Sequence, residues 1–441
     1  MFAYNLRLAA MSFRQNPLLT GLIITALALG IGLSMTIITL YYTMSSNPIP
    51  KKSAELFAVR IDNWELDSDD NDGQPPWQLT FTDAQGLLQS PVPSRQVAMY
   101  KATFVVDSER EEVAPFFSVS RVTGRDFFSL FDVPFLYGGA WSQDSEDRAE
   151  HVVVLSKATN DRIFGGENSV GKRVNMGNSN GDYYFTVVGV LDNWQPVPKY
   201  YDVNNGAFDD VENLFVPFSL TTVIEMNRTG NTNCWKAERL VTYTDVLNSE
   251  CVWLQYWVEL NSEQQQQDYR QWLDGYVSQQ KQLGRLDRPM DNRIDDVMSW
   301  LQANEVIPVG VNVLMGLSIL FLLVCIFNAV SLLLARFFRK ATLIGVRRAL
   351  GASKWDVFNA QLLEVVCIGV AGGLLGLFFT WLGLRGLRSL FTNFSIERVS
   401  GLNVELVIIA LLLAVSSALI AGLYPTWRIS RISPAYYLKT Q

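Results

Sequence analysis

Histidine occurs once in this 441-residue sequence, cysteine four times, and four long stretches carry no charge at all. The single histidine, His151, opens the apolar run Val152 to Leu155 with no cysteine or second histidine at metal-ligand spacing, so it reads as structural. No Gly-x-Ser-x-Gly elbow is present, and one histidine leaves little for a hydrolytic triad. The chain by itself is therefore not expected to be an enzyme, to bind a metal or to hold a cofactor. Gly166 to Arg173 fits the first seven positions of a phosphate-binding loop, but Arg173 stands where the magnesium-ligating hydroxyl belongs. That segment reads as a turn before a strand. Among the cysteines, Cys325 and Cys367 fall within apolar runs and read as small core residues. Cys234 and Cys251 lie in the polar part of the chain, either bonded in an oxidising compartment or as two thiols, and pairing is the expectation.

The uncharged stretches run from Gln15 to Pro50, Val306 to Ala335, Val365 to Leu384 and Leu406 to Trp427. A bilayer core needs about 20 apolar residues in helix, and each run supplies them. Four transmembrane helices are expected at 17–44, 306–335, 365–384 and 406–427. The first is too long for a signal peptide and lacks a small-residue cleavage site, so it reads as retained. Ahead of it, residues 1–16 place Phe2, Leu6, Ala9, Ala10 and Phe13 on one face, as an interfacial amphipathic helix does. Within these runs no residue is ionised, which argues against an ion-coupled transporter. Gly369, Gly372, Gly373 and Gly376 give two Gly-x-x-x-Gly spacings in the third run, suited to close helix packing either within the chain or across a dimer.

Basic residues set the orientation. Segment 336–364 holds Arg336, Arg339, Lys340, Arg347, Arg348 and Lys354 against Asp356 and Glu364, and the tail 428–441 holds Arg428, Arg431 and Lys439 with no acid. Both are expected in the cytoplasm, with the N-terminus, leaving 45–305 and the short loop 385–405 outside. Between 51 and 305 there are 22 basic and 39 acidic residues. So acidic a domain excludes nucleic acid and anionic lipid surfaces as its partners.

Alternating segments predict strands at 55–61, Gln96–Asp107, Phe116–Val122, His151–Leu155, Arg173–Met176, Tyr183–Leu191, Leu214–Phe218 and Trp253–Leu260. Helices are expected after a cap near Thr82 and over Ser262–Gly284, with Asp67 to Pro76 an exposed loop. The fold class expected is thus a four-helix membrane protein with a large α+β outer domain. That domain divides into one subdomain of about 51–110 with 250–300 and another of about 111–249.

Between the second and third spans, Lys340-Ala-Thr-Leu-Ile-Gly-Val-Arg-Arg-Ala-Leu-Gly-Ala-Ser353 predicts a short basic helix over Thr342–Leu350, stopped at Gly351, with Ser353 capping the next helix. Ile344 to Ser353 resembles the segment of macrolide-exporter (MacB-like) and FtsX-like ABC permeases that reads roughly Glu-Ile-Gly-Ile-Arg-Arg-Ala-Leu-Gly-Ala-Ser. Leu343 stands where that family has glutamate. Further matches are Gly124-Arg-Asp-Phe-Phe, Val133-Pro-Phe-Leu-Tyr-Gly-Gly, Phe164 to Lys172, Val187-Val-Gly-Val and Tyr424 to Ala435.

This resemblance implies a bacterial inner-membrane, multi-pass permease whose outer domain has porter-like and sabre-like parts. It implies a cytoplasmic dimer of ABC ATPases carrying ATP and magnesium on separate chains, since only 15 residues precede the first uncharged run's Asn16. A second permease, identical or homologous, is implied too, and a periplasmic adaptor or outer-membrane channel fits the exporter type. ATPase coupling falls on Leu343, Ile344, Gly345, Arg347, Arg348, Leu350, Gly351 and Ser353. The implied activity is ATP-driven export of an antibiotic, peptide or lipoprotein; the alternative is a non-transporting regulator or antimicrobial-peptide sensing subunit acting on a periplasmic partner.

Overall fold

The computed structural model describes Phe13 and residues 16–66, 73–108, 110, 112–390 and 404–431. The expected N-terminal amphipathic helix, apart from Phe13 and Asn16, lies outside the described residues, as do 67–72 of the acidic loop, most of the loop 385–405 and the tail beyond Arg431. The chain forms two compact units, Met1–Ser45 with Ile307–Gln441, and Ser46–Val306.

In the first unit, apolar sequence becomes helix because only a helix satisfies its own backbone away from water. The helices are α1 (Pro17–Ser45), α2 (Val309–Arg339), the short α3 (Ala341–Ala349), α4 (Lys354–Leu390) and α5 (Val404–Ser430). All but α3 are long and apolar enough to cross a membrane. Three of them, α2, α4 and α5, extend past their uncharged runs, so these helices carry ionised residues just beyond the stretches read as spanning, while the runs themselves hold none. Arg336 lies in the last turn of α2 and Glu364 lies in α4, and the two pair at 2.5 Å. Pairing near the helix ends is what makes these charges tolerable there.

The glycines of α4 are used inside the chain. Two of them, Gly369 and Gly373, face α5, where Ala410, Ala414 and Ala418 recur every four residues: a Cβ on Gly369 would stand 2.6 Å from that of Ala418, and one on Gly373 2.7 Å from that of Ala414. Gly372 and Gly376 face α1, near Leu27, the Ala28 carbonyl and Ile31. Small residues thus let α4 press against two neighbours at once. Gly369→Val is expected to cost about 1–3 kcal/mol through overpacking, read as a lower melting temperature of the detergent-solubilised chain. Gly21→Ala, where nothing lies within 4 Å of the added carbon, should leave it unchanged.

The second unit is built on one ten-stranded sheet: β1 (Leu56–Arg60), β2 (Arg95–Asp107), β3 (Phe116–Thr123), β4 (Phe135–Gly138), β5 (Val152–Leu155), β6 (Arg173–Asn178), β7 (Gly181–Leu191), β8 (Leu214–Pro217), β9 (Gln255–Glu259) and β10 (Arg293–Asp296). Its order is β10-β1-β9-β2-β3-β8-β5-β7-β4, with β6 bridging β2 and β7. Pairing is antiparallel except between β3 and β8 and between β5 and β7. Strands from the two expected subdomains occupy opposite ends of this order but share one continuous sheet.

Alternate residues build two cores, one on each face. Tyr100, Ala102 and Phe104 of β2, with Val153 and Leu155 of β5, meet the helices Phe81–Leu87 and Glu263–Gln282. Val97 and Met99, with Val152 and Val154, meet Phe127, Phe128, Trp141, Tyr201, Trp257 and Trp300. A sheet apolar on both faces needs cover on both, hence helices on each side. The helix expected after Thr82 starts earlier, because Thr80 is the cap and accepts from the Asp83 amide.

Candidate functional site

Lys340 ends α2 and leads directly into α3. That helix turns Ala341, Ile344 and Gly345 inward, the first two into the apolar cluster of Leu333, Phe337 and Val357. Its outer side is apolar as well. Leu343 is 59% exposed and Leu350 82%, with Val346 between them, and Trp355 at the start of α4 is 71% exposed. These positions follow helical spacing on α3, so they form one stripe. Gly351 closes the helix at φ +106°, a conformation open to glycine and costly for other residues. Ser353 caps α4: its hydroxyl accepts from the Asp356 amide at 3.1 Å, and Asp356 accepts from the Ser353 amide and hydroxyl.

Of the two arginines read as coupling residues, Arg348 donates to the Ser430 carbonyl at the end of α5, at 3.5 Å, and both arginines are half-buried. The structure therefore brings Leu343, Leu350 and Trp355 to the surface more fully than Arg347 and Arg348. Sequence reasoning missed Trp355 as part of this surface, though an apolar aromatic just past a capping serine was visible.

At the base of the same segment, the Glu364 carboxylate accepts from Arg336 at 2.5 Å and from Lys340 at 2.9 and 3.0 Å. The Arg336 guanidinium lies 5.3 Å from the Phe13 ring centroid. Spacing alone gave no signal for this cluster, since its members are separated by the whole of α3.

A second ionic cluster lies within the large domain and was also missed. Arg121, on the aromatic face of β3, is fully buried and bonds both Asp202 and Glu212, themselves buried. Lys199 Nζ lies 3.3 Å from Glu212, and the Tyr201 hydroxyl donates to Glu212 at 2.9 Å. Burial alone would raise the Glu212 carboxyl, but Arg121 and Lys199 outweigh it and hold the group far below the usual carboxylate range. Desolvation lowers the Arg121 guanidinium, yet its two carboxylates prevail and the charge stays. Because its acidic and basic side chains bond one another, this cluster fastens β3 to the turn at 199–212 rather than offering a reactive group.

Among the described residues no group of histidine, cysteine and carboxylate side chains has metal-site geometry. The Gly166–Lys172 segment is a turn into β6: Gly166 and Gly171 have positive φ, Ser169 is buried and donates to Asn160 at 2.6 Å, and Lys172 pairs with Glu167. His151 stacks on Phe185 with ring centroids 5.2 Å apart, and burial lowers its imidazole. Cys234 and Cys251 are bonded to each other.

Two family models match this chain. Residues 20–276 match the family model described as the MacB-like periplasmic core domain, and 315–434 match the FtsX-like permease C-terminal model. The macrolide export ATP-binding/permease protein MacB of Syntrophobacter fumaroxidans is 21% identical over 71% of this chain and 46% of its own. The pyoverdine export ATP-binding/permease protein PvdT of Pseudomonas syringae is 24% identical over 73% of this chain and 43% of its own. The chain thus spans less than half the length of these curated relatives. The periplasmic region of MacB from Actinobacillus actinomycetemcomitans covers 58% of this chain and 95% of its own, at 15% identity and a TM-score of 0.37. With both models matched in order, and the first alone covering more than half of the sequence, the chain belongs to the MacB-like, FtsX-like family of ABC transporter permeases.

Proposed function

We propose that the chain is the permease subunit of an ABC complex, taking motion from an ATPase on its cytoplasmic side and delivering it to its large periplasmic domain to export a substrate. The observation that carries this reading is the exposed apolar stripe of α3, Leu343, Val346 and Leu350, continued by Trp355. Soluble surface rarely leaves such a patch open unless a partner covers it. Its position between two spanning helices makes it a lever on both.

In this reading the N- and C-termini and segment 336–364 are cytoplasmic, as their lysines and arginines favour. ATP and magnesium belong to the ATPase, and the permease chain itself catalyses nothing. Leu343, Ile344, Gly345, Arg347, Arg348, Leu350, Gly351 and Ser353 form or shape the docking knob. Where the family has a glutamate, Leu343 gives the contact an apolar centre, flanked by the charges of Arg347 and Arg348. A second permease completes the pair, and the cargo is an antibiotic, peptide or lipoprotein.

Leu350→Asp combined with Leu343→Asp is expected to reduce recovery of the ATPase in a membrane pull-down at least about tenfold, the scale of losing a central interface anchor. Arg347→Glu with Arg348→Glu should reduce it in the same direction and less, because Arg348 is partly engaged by Ser430. Undiminished recovery with the leucine pair replaced would remove the knob from the mechanism.

A further inference from the structure

We propose that Glu364 is the positioning residue that holds the α3 knob to both of its spanning helices, so that motion of the knob reaches α2 and α4 together. This rests on the knob's role above. The chain leaves α2 at Lys340, forms α3, and re-enters α4, and Glu364 joins the two ends of that excursion. Its Oε1 accepts from Arg336 Nη2 at 2.5 Å and from Lys340 Nζ at 2.9 Å, while Oε2 accepts from Lys340 Nζ at 3.0 Å. The Arg336 side chain is fully buried, and Glu364 and Lys340 are nearly so.

Arg336 and Lys340 stand four residues apart, where like charges on a helix repel. One carboxylate between them turns that repulsion into a three-way clamp, and the low polarity around it makes the clamp strong. Beneath it, Phe337, Ala341, Ile344 and Val357 pack through apolar contact alone, which resists separation but not sliding. The directional bonds to Glu364 fix the register that those contacts leave free. With a neutral residue there, the end of α2 would lose its charge-assisted bonds to α4, and α3 would pivot on its apolar seat.

The experiment uses the tagged full chain purified with its co-purifying ATPase, carrying a fluorophore on Leu283→Cys, an exposed position of the large domain, and MgATP as the probe. In Glu364→Gln the ATPase should still be recovered, while the ATP-driven fluorescence change falls at least about threefold and amide exchange over 341–353 accelerates. Glu364→Asp, which keeps the charge, should restore most of the response, an outcome a merely space-filling role would not give. Lys340→Met, which leaves a neutral Arg336–Glu364 pair and is the gentler change for folding, should retain ATPase binding and weaken the response.

An undiminished response and unchanged exchange in Glu364→Gln, or in Lys340→Met should the first not fold, would overturn the role of Glu364 while leaving the docking surface standing. Loss of ATPase recovery together with the response would also overturn it, marking the cluster as structural. Failure of the unaltered chain to bring down an ATPase would instead remove the functional reading on which the role rests.

Discussion

Arg121→Met should destabilise the large domain by about 3–5 kcal/mol, because it strands the Asp202 and Glu212 charges in the interior without their shared cation. The side chain lies on the sheet face that holds Tyr201 and Trp257, with its guanidinium 5.3 Å from the Tyr201 ring centroid. Methionine fills much of the same space, so the loss is electrostatic more than steric. Thermal unfolding followed by tryptophan fluorescence measures it, since Trp194 and Trp257 both contact Tyr201.

The pH dependence separates this from a packing defect. In the unaltered chain the native Glu212 carboxyl sits far below the ordinary value of 4.5. Its contribution is therefore complete above pH 4.5 and declines as the pH falls below that value. In Arg121→Met the Glu212 carboxylate loses its main cationic partner and binds a proton more readily, so acid relieves part of the damage. The melting-temperature gap between the two proteins should be widest near neutrality and narrow below pH 4.5. A gap independent of pH would show that the cluster is not charged as described.

Removing the Cys234–Cys251 bond by a double change to alanine should cost about 3 kcal/mol on the chain-entropy scale for a loop of this length. The two cysteines are separated by 17 positions. Native contacts around the bond reinforce the closure: Asn233 and Val252 exchange backbone hydrogen bonds at 3.0 and 2.8 Å, and the capping box of Thr242 and Asp245 starts the helix Tyr243–Asn248 inside the loop. A lower melting temperature in the double variant, matched by the unaltered chain under reductant, is the expected result. Insensitivity to reductant in the unaltered chain would show that the bond does not form in the cell.

Much of the architecture was legible because periodicity reports burial directly. Uncharged runs of helical length could only be spanning segments, and strands such as Gln96–Asp107 alternate because opposite faces of one sheet bury successive side chains. Short edge strands were not legible. Arg293–Asp296 carries three charges in four residues and reads as loop, yet charged residues are what keeps a sheet edge from pairing with other chains. Phe135–Gly138, at the other edge, is too short for alternation to register.

Sequence by itself determined four apolar spans, an acidic α+β domain between the first two, and a short capped helix between the second and third, because each follows from local pattern and composition. Only the tertiary structure decided that Gly369 and Gly373 serve α5 while Gly372 and Gly376 serve α1, that Arg121 is the hub of a buried ionic cluster, and that Glu364 gathers Arg336 and Lys340. The reason is distance along the chain. A charge or a glycine acquires its role from what the fold places opposite it, and residues separated by tens or hundreds of positions leave no local trace of the meeting.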